Sequence, residues 1–220
     1  MKNKSLLRKI ITRFLLVFVF TFCSSIALQG QSWTLQTSGT TQSLYGIHFL
    51  DANNGWAVGL NGTIIRTTNG GTTWTAQTSG ITNHLFDVYF IDANNGLAVG
   101  EFGRVLKTTN GGTNWTLLGA PFNSGNQGFY GIHFTSNLIG YIAGYNYDLL
   151  GAAIYKTTDG GSSWSLNYSS IVDYLVDIHF GDINTGYALP EAVDGGKFLK
   201  TTNGGTNWTL STFSANTQHV

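Results

Sequence analysis

An all-β fold of repeated four-stranded units is what this sequence predicts, and three observations predict it. One eight-residue stretch recurs four times, as TTNGGTTW at 67–74, TTNGGTNW at 108–115, TTDGGSSW at 157–164 and TTNGGTNW at 201–208. Between the copies, short β-branched and aromatic runs alternate with clusters of Gly, Asn and Asp, and no helical periodicity appears. Polarity comes from Thr, Asn, Ser and 29 Gly, while only 10% of the residues are charged, which suits strands and tight turns. Self-similarity at a spacing of 41 to 49 residues marks a repeat architecture.

The first residues stand apart from the repeats. Five of the eleven basic residues, Lys2, Lys4, Arg8, Lys9 and Arg13, precede the apolar run Phe14 to Phe22 and the small-residue stretch CSSIALQG. This is the outline of a secretory signal over residues 1–30, cut after Ala27 or Gly30. The run is short for a membrane span, so no span is expected after cleavage, although a retained anchor is the alternative. Cys23, the sole cysteine, could carry a lipid, but the bulky Phe22 before it argues against that. The expected location is secreted, periplasmic or cell surface. Without the leader, six basic residues face eleven acidic ones, a net charge of −5. An acidic chain without a basic cluster is a poor nucleic-acid binder. It has no thiol left for disulfides or cysteine chemistry.

The repeats fill residues 31–220, with units at about 44–78, 85–119, 129–168 and 175–212. In the first unit the runs are Leu44–Leu50, Trp56–Gly59, Thr63–Thr68 and Trp74–Gln77. The turn Asp51-Ala-Asn-Asn-Gly55 joins the first two, with Asn-Gly expected to supply positive φ. Four short strands per unit at this period are the signature of β-propeller blades.

The pattern T-x-[ND]-x-G-x-[TSN]-W resembles the Asp-box, or BNR repeat, found between the third and fourth strands of blades in sialidases and sortilin-like receptors. Together with F-x-[DT] and G-[WLY]-x-[AV]-G upstream, it is most similar to the photosystem II stability/assembly-factor propellers and their secreted bacterial relatives. The resemblance covers about residues 31–220 and implies structural roles for Thr67, Asn69, Gly71 and Trp74; for Thr108, Asn110, Gly112 and Trp115; for Thr157, Asp159, Gly161 and Trp164; and for Thr201, Asn203, Gly205 and Trp208. Three boxes carry Asn where the family norm is Asp; Asn keeps one acceptor oxygen, so the turn should survive. Each Trp is expected to enter a seam between blades.

Trp33 closes a unit whose first three strands are absent, and NTQHV at 216–220 matches TNHLF at 82–86, the entry to a first strand. The expectation is four blades plus one N-terminal closing strand, a fragment of a propeller of about seven blades by family resemblance, with further blades needed for ring closure. A closed ring of four or five blades is the alternative.

Length changes locate the variable rim. Fourth-to-first and second-to-third connections share one rim; first-to-second turns and boxes share the other. From Gly59 to Thr67 and from Gly100 to Thr108 the spacing is 8, but it is 13 from Gly144 to Thr157 and 11 from Pro190 to Thr201. From Trp115 to Phe129 it is 14, against 11 in the other units. Every change falls on the same rim, and loops on a rigid scaffold carry binding. The candidate ligand residues are therefore Tyr145, Asn146, Tyr147, Asp148, Glu191, Asp194, Phe122 and Asn123, with Glu101 and Phe102 nearby. The bland alternative is solvated loops without a ligand.

Three further patterns recur in register. Arg66, Lys107, Lys156 and Lys200 precede the boxes; they either form a basic arc, as docking patches do in the assembly factors, or cap turn carbonyls. His48, His133 and His179 share one first-strand position with Tyr89, but strands diverging around an axis do not converge on an ion, so no metal and no cofactor is expected. Local pairs, Asp87 with Tyr89 and Asp177 with His179, are the simpler account. Catalysis is not expected: after the leader only Arg66 and Arg104 remain, too few for a sialidase arginine triad. Asp148, Glu191 and Asp194 could pair as glycosidase carboxylates, but nothing in their spacing marks an acid. The reading is a non-catalytic scaffold binding a protein or a glycan; the alternative is a fragment of an Asp-box glycoside hydrolase, sialidase-like or endoglucanase-like.

Overall fold

A computed structural model describes residues 34–118, 127–171, 174–191 and 196–212. The leader, Trp33, residues 119–126 and the stretch 213–220 lie outside these, as do Phe122, Asn123 and Asp194. Four four-stranded antiparallel sheets follow one another in chain order, each with its strands in sequence order, as blades of a propeller. Blade 1 is β1 (Leu44–Phe49), β2 (Gly55–Gly59), β3 (Ile64–Thr67) and β4 (Thr75–Gln77). Blade 2 is β5 (Leu85–Phe90), β6 (Gly96–Gly100), β7 (Val105–Thr108) and β8 (Thr116–Leu117). Blade 3 is β9 (Gln127–Phe134), β10 (Gly140–Asn146), β11 (Gly151–Thr157) and β12 (Ser165–Ser170). Blade 4 is β13 (Leu175–Phe180), β14 (Gly186–Pro190), β15 (Lys197–Thr201) and β16 (Thr209–Thr212). β1, β5, β9 and β13 meet one another side by side and so form the inner wall.

The first hairpin turn differs from expectation. Neither Asn54 nor Gly55 takes a positive φ. The Asp51 carboxylate instead accepts from the Asn53 and Asn54 N–H groups at 2.7 and 2.9 Å, closing an Asx turn. Asp92 and Asp182 repeat it.

The core lies in three seams between blades. Trp56, Val58 and Ile64 of blade 1 bury against Leu85, Val88 and Phe90 of blade 2. Leu97, Val99 and Val105 meet Phe129, Ile132 and Phe134; Tyr141, Ala143 and Ile154 meet Leu175, Ile178 and Phe180. Trp56 stacks on Phe90 at 3.5 Å, and Tyr141 on Phe180 at 4.2 Å. At the ends of the row the matching surfaces stay open. Ile47 is 61% exposed where its counterpart Val88 is 2% exposed, and Phe49, Tyr187 and Leu189 are exposed as well. Those are the faces that a closed four-bladed ring would press together, and among the described residues they are not brought together.

The repeated box is a turn held by its own side chains. Thr67 Oγ1 accepts from the Asn69 and Gly71 N–H groups at 3.3 and 2.9 Å and donates to Asn69 Oδ1 at 3.0 Å. Asn69 Oδ1 in turn accepts from the Thr73 N–H at 2.9 Å. Gly70 and Gly71 take φ of 66° and 86°, a region closed to most side chains. The other three copies repeat the set, and hydrogen bonds from Ser163 and Thr157 hold the Asp159 carboxyl well below its usual range. The box glycines donate to the first-to-second turns, Gly70 N to Asn53 O and Gly111 N to Asn94 O, so both share one rim.

Three of the basic series cap carbonyls, but across a seam, while Lys200 lies 5.6 Å from the Tyr187 ring. Arg66 reaches Gly111 O at 3.1 Å, Lys107 reaches Gly160 O at 2.8 Å, and Lys156 reaches Gly204 O at 2.8 Å, each in the following blade's box. Each box is thus a staple within a blade, and those of blades 2, 3 and 4 also anchor the blade before. The indoles join in unequally. Trp115 and Trp208 donate to Gln77 and Asn167 of the preceding blades, whereas Leu118 holds that position before Trp164, whose Nε1 has no acceptor among the described residues.

Candidate functional site

The fourth-to-first and second-to-third connections do meet on one rim. Leu60 N donates to Ser43 O, Glu101 N to His84 O and Glu191 N to Tyr174 O, each at 2.9 Å. This rim surrounds the inner mouth. Each inner strand carries a β-bulge near its start, between Leu44 and Gly46, Leu85 and Asp87, opposite Ala143 and Gly144, and between Leu175 and Asp177. A bulge takes one residue out of the ladder and re-aims it. The residues released are Tyr45, Phe86, Tyr130 and Val176.

The rings of the first three form a continuous arc that Tyr174 extends. Tyr45 lies 5.6 Å from Phe86, Phe86 4.9 Å from Tyr130, and Tyr130 5.5 Å from Tyr174. Tyr174 meets Tyr145 at 6.3 Å, and Tyr145 meets Tyr147 at 4.5 Å. Glu101 accepts from His84 N at 3.2 Å. Glu191 accepts from the Tyr174 hydroxyl, which pushes that phenol up to about 12. Burial, then Tyr147, Glu101 and Glu191, raise Tyr130. Of the residues expected on this rim, the structure therefore brings together Tyr145, Tyr147, Glu101 and Glu191. Asp148 sits exposed in the turn beyond β10, its N–H donating to Asn146 Oδ1. Asn146 is turned inward, donating to the Tyr155 hydroxyl at 2.8 Å, because part of the insertion lengthens β10 and β11 instead of forming a loop.

Two apolar residues on this rim hold a strained backbone. Phe102 has φ of 55° and is 49% exposed; Leu150 has φ of 53° and is 71% exposed. Asn61, which tolerates this conformation, fills the Phe102 position in blade 1. Sequence reasoning missed Tyr45, Phe86, Tyr130 and Tyr174. The first three could have been found by the register count that picked out the histidines. The mouth is an open surface; a partly open apolar cleft lined by Tyr168, Leu199 and Leu210 lies between blades 3 and 4.

Deeper along the inner wall, His48, Tyr89, His133 and His179 meet in sequence, tilted or edge-on, at 4.5, 5.4 and 4.5 Å. His48 Nδ1 accepts from Phe90 N, and the Tyr89 hydroxyl donates to Phe134 O. The expected pairing of Asp87 with Tyr89 does not occur, although the register runs unbroken between them, because backbone groups take both side chains. The Asp87 carboxylate accepts from Val88 N at 2.8 Å and, across the seam, from Ile132 N at 3.0 Å. Desolvation nevertheless pushes Asp87 up to about 7, and burial beside His179 and His48 lowers His133 to about 4.

The two groups act oppositely on stability. Between about 4 and 6.5 unfolded His133 binds a proton that the folded form does not, so its share of stability falls as pH falls. Asp87 is protonated in the folded state up to about 7, so its share falls as pH rises. His133→Phe is expected to gain on the wild type as pH drops from about 6.5 to 4, by up to about 1.4 kcal/mol per pH unit. Urea denaturation across that range measures it, and a pH-independent difference would contradict the assignment.

The sequence matches a family model described as photosynthesis system II assembly factor YCF48, over residues 26–83 and 76–170. No curated protein matches it. A solved structure of YCF48 bound to D1 peptide is similar with a TM-score of 0.68 and 24% identity, over 86% of this chain and 59% of that one. YCF48 from Cyanidioschyzon merolae gives 0.65 and 21%, over 84% and 61%. The GH74 enzyme of Niastella koreensis gives 0.60 and 21%, over 79% and 30%. The chain thus spans about three-fifths of the YCF48 structures it resembles, and at these identities the likeness is one of fold.

Proposed function

Because the chain belongs to the photosynthesis system II assembly factor YCF48 family, we propose that it is a secreted, non-catalytic propeller whose aromatic rim holds a segment of another protein. The observation that carries this reading is the strained, exposed Phe102. A non-Gly residue in the left-handed region costs on the order of 1 kcal/mol, and such strain clusters at ligand sites. The solved YCF48 with a D1 peptide supports a peptide as the ligand class. Tyrosine rings with polar tips suit such a surface.

Phe102→Asn is expected to raise stability by about 1 kcal/mol while weakening retention on an array of short synthetic peptides. Tyr145→Ala with Tyr147→Ala should also weaken retention; Thr72→Ala with Thr113→Ala on the box rim should not. Equal losses from both rims would sink the assignment.

A second reading, glycoside hydrolysis, is favoured by the likeness to GH74 folds and by Glu101 and Glu191 flanking Tyr130. Xyloglucan oligosaccharides separate the two. The scaffold releases no reducing ends; release abolished by Glu101→Gln or Glu191→Gln would establish the enzyme.

A further inference from the structure

We propose that the mouth between Glu101 and Glu191, walled by Phe86, Tyr130 and Tyr174, receives a cationic side chain, Arg or Lys, of the bound segment. This rests on the rim being the binding surface and adds the chemistry of the residue that enters it.

The arc offers ring faces in near succession, Phe86 and Tyr130 stacked with an interplanar angle of 26° and Tyr174 tilted beyond. Aromatic faces carry negative quadrupole charge and attract a cation within about 6 Å. Both carboxylates act on Tyr130 from positions fixed by the fold. The His84 N–H holds Glu101, and the Tyr174 hydroxyl holds Glu191. Each of these contacts uses one of about four lone-pair sites of a carboxylate, leaving acceptors for a guanidinium or ammonium. Neither acid stands in an ion pair among the described residues, and the nearby Arg104 donates to Asn83 Oδ1 instead. Arg66, Lys107 and Lys156 are committed to box carbonyls on the opposite rim. Those cations share the box rim with Asp51, Asp92, Asp159 and Asp182, so that rim carries both signs, while Glu101 and Glu191 leave the mouth wall acidic.

The alternation of blades strengthens the geometry. Glu101 and Glu191 hold the same register position in blades 2 and 4, while blade 3 places Tyr145 there. Two acids thus flank one aromatic wall, an arrangement that complements a single cation better than a run of neutral sugars.

The test uses the peptide acetyl-Gly-Arg-Gly-amide, its citrulline analogue of equal shape and no charge, and ring-proton shifts of Tyr130 and Tyr174. The Arg peptide should shift both rings and bind at least tenfold tighter than the citrulline peptide. Glu101→Gln with Glu191→Gln should remove that preference with thermal stability unchanged, and Tyr130→Leu should weaken binding at least fivefold. Equal binding of the citrulline peptide at the same tyrosines would overturn the cationic assignment yet leave the rim as the binding surface. Shifts confined to 51–54 and 67–73 would overturn both. No shift with either peptide at tens of millimolar would overturn the cation site, while the peptide-array variants decide the rim separately.

Discussion

Replacing Trp56 with Ala is expected to destabilise the protein by about 3–5 kcal/mol. The side chain is fully buried in the seam between blades 1 and 2, stacked on Phe90 at an interplanar angle of 10°. Its Nε1 donates to Gly111 O at 3.2 Å, and Arg66 lies 5.1 Å from its ring. Alanine would open a cavity and unseat a cation that reaches the same carbonyl. Trp74→Ala is expected to cost less than half as much. The sequence suggests that Trp74 sits in a seam like the other box tryptophans, but it meets Phe49 edge-on at 5.9 Å on the uncovered face of blade 1. Denaturant midpoints of both variants check the contrast; equal costs would mean that the open face is covered in solution.

Thr108→Val is the second large effect, about 2–3 kcal/mol for a change that keeps shape. Thr108 Oγ1 takes the N–H groups of Asn110 and Gly112 at 3.3 and 2.8 Å and donates to Asn110 Oδ1 at 3.0 Å. Valine leaves the buried Gly112 N–H without an acceptor. Because Gly111 O anchors Trp56, Arg66 and Gln77 of the preceding blade, the loss should spread across the seam. A Thr108→Val protein as stable as the wild type would refute the box as a staple.

The fold was legible because its signals are local. The box writes its own hydrogen bonds within seven residues, from Thr67 to Thr73. Rim assignment followed from antiparallel order alone. Three things were not legible, each for a physical reason. The bulges interrupt the two-residue alternation, which hid Tyr45, Phe86 and Tyr130, and the Ile132 N–H that draws Asp87 away from Tyr89 lies in the next blade. The partners of Arg66, Lys107 and Lys156 lie 45 to 53 residues away, in a neighbouring blade that no local pattern names. Asn146 reads as a loop residue, yet β10 and β11 extend through the insertion and bury it.

Gly46 and Gly131 show a signal that was present but unread. They alternate with Asp87 and Asp177 at one register position. A Cβ on Gly131 would lie 2.9 Å from Asp177 Cα, so the glycine lets β13 approach β9, while Asp87 reaches across to Ile132. Blades of two kinds therefore alternate around the inner wall.

The central claim is that the box rim holds the blades together while the opposite rim meets the ligand. Amide hydrogen exchange with and without a bound peptide from the array tests it most directly. The expected result is new protection at 43–45, 84–86, 101–103, 127–130 and 145–149, with the box turns at 67–73 and 108–114 unchanged. Protection at the box turns, with the Tyr130 and Tyr145 rim unaffected, would contradict it.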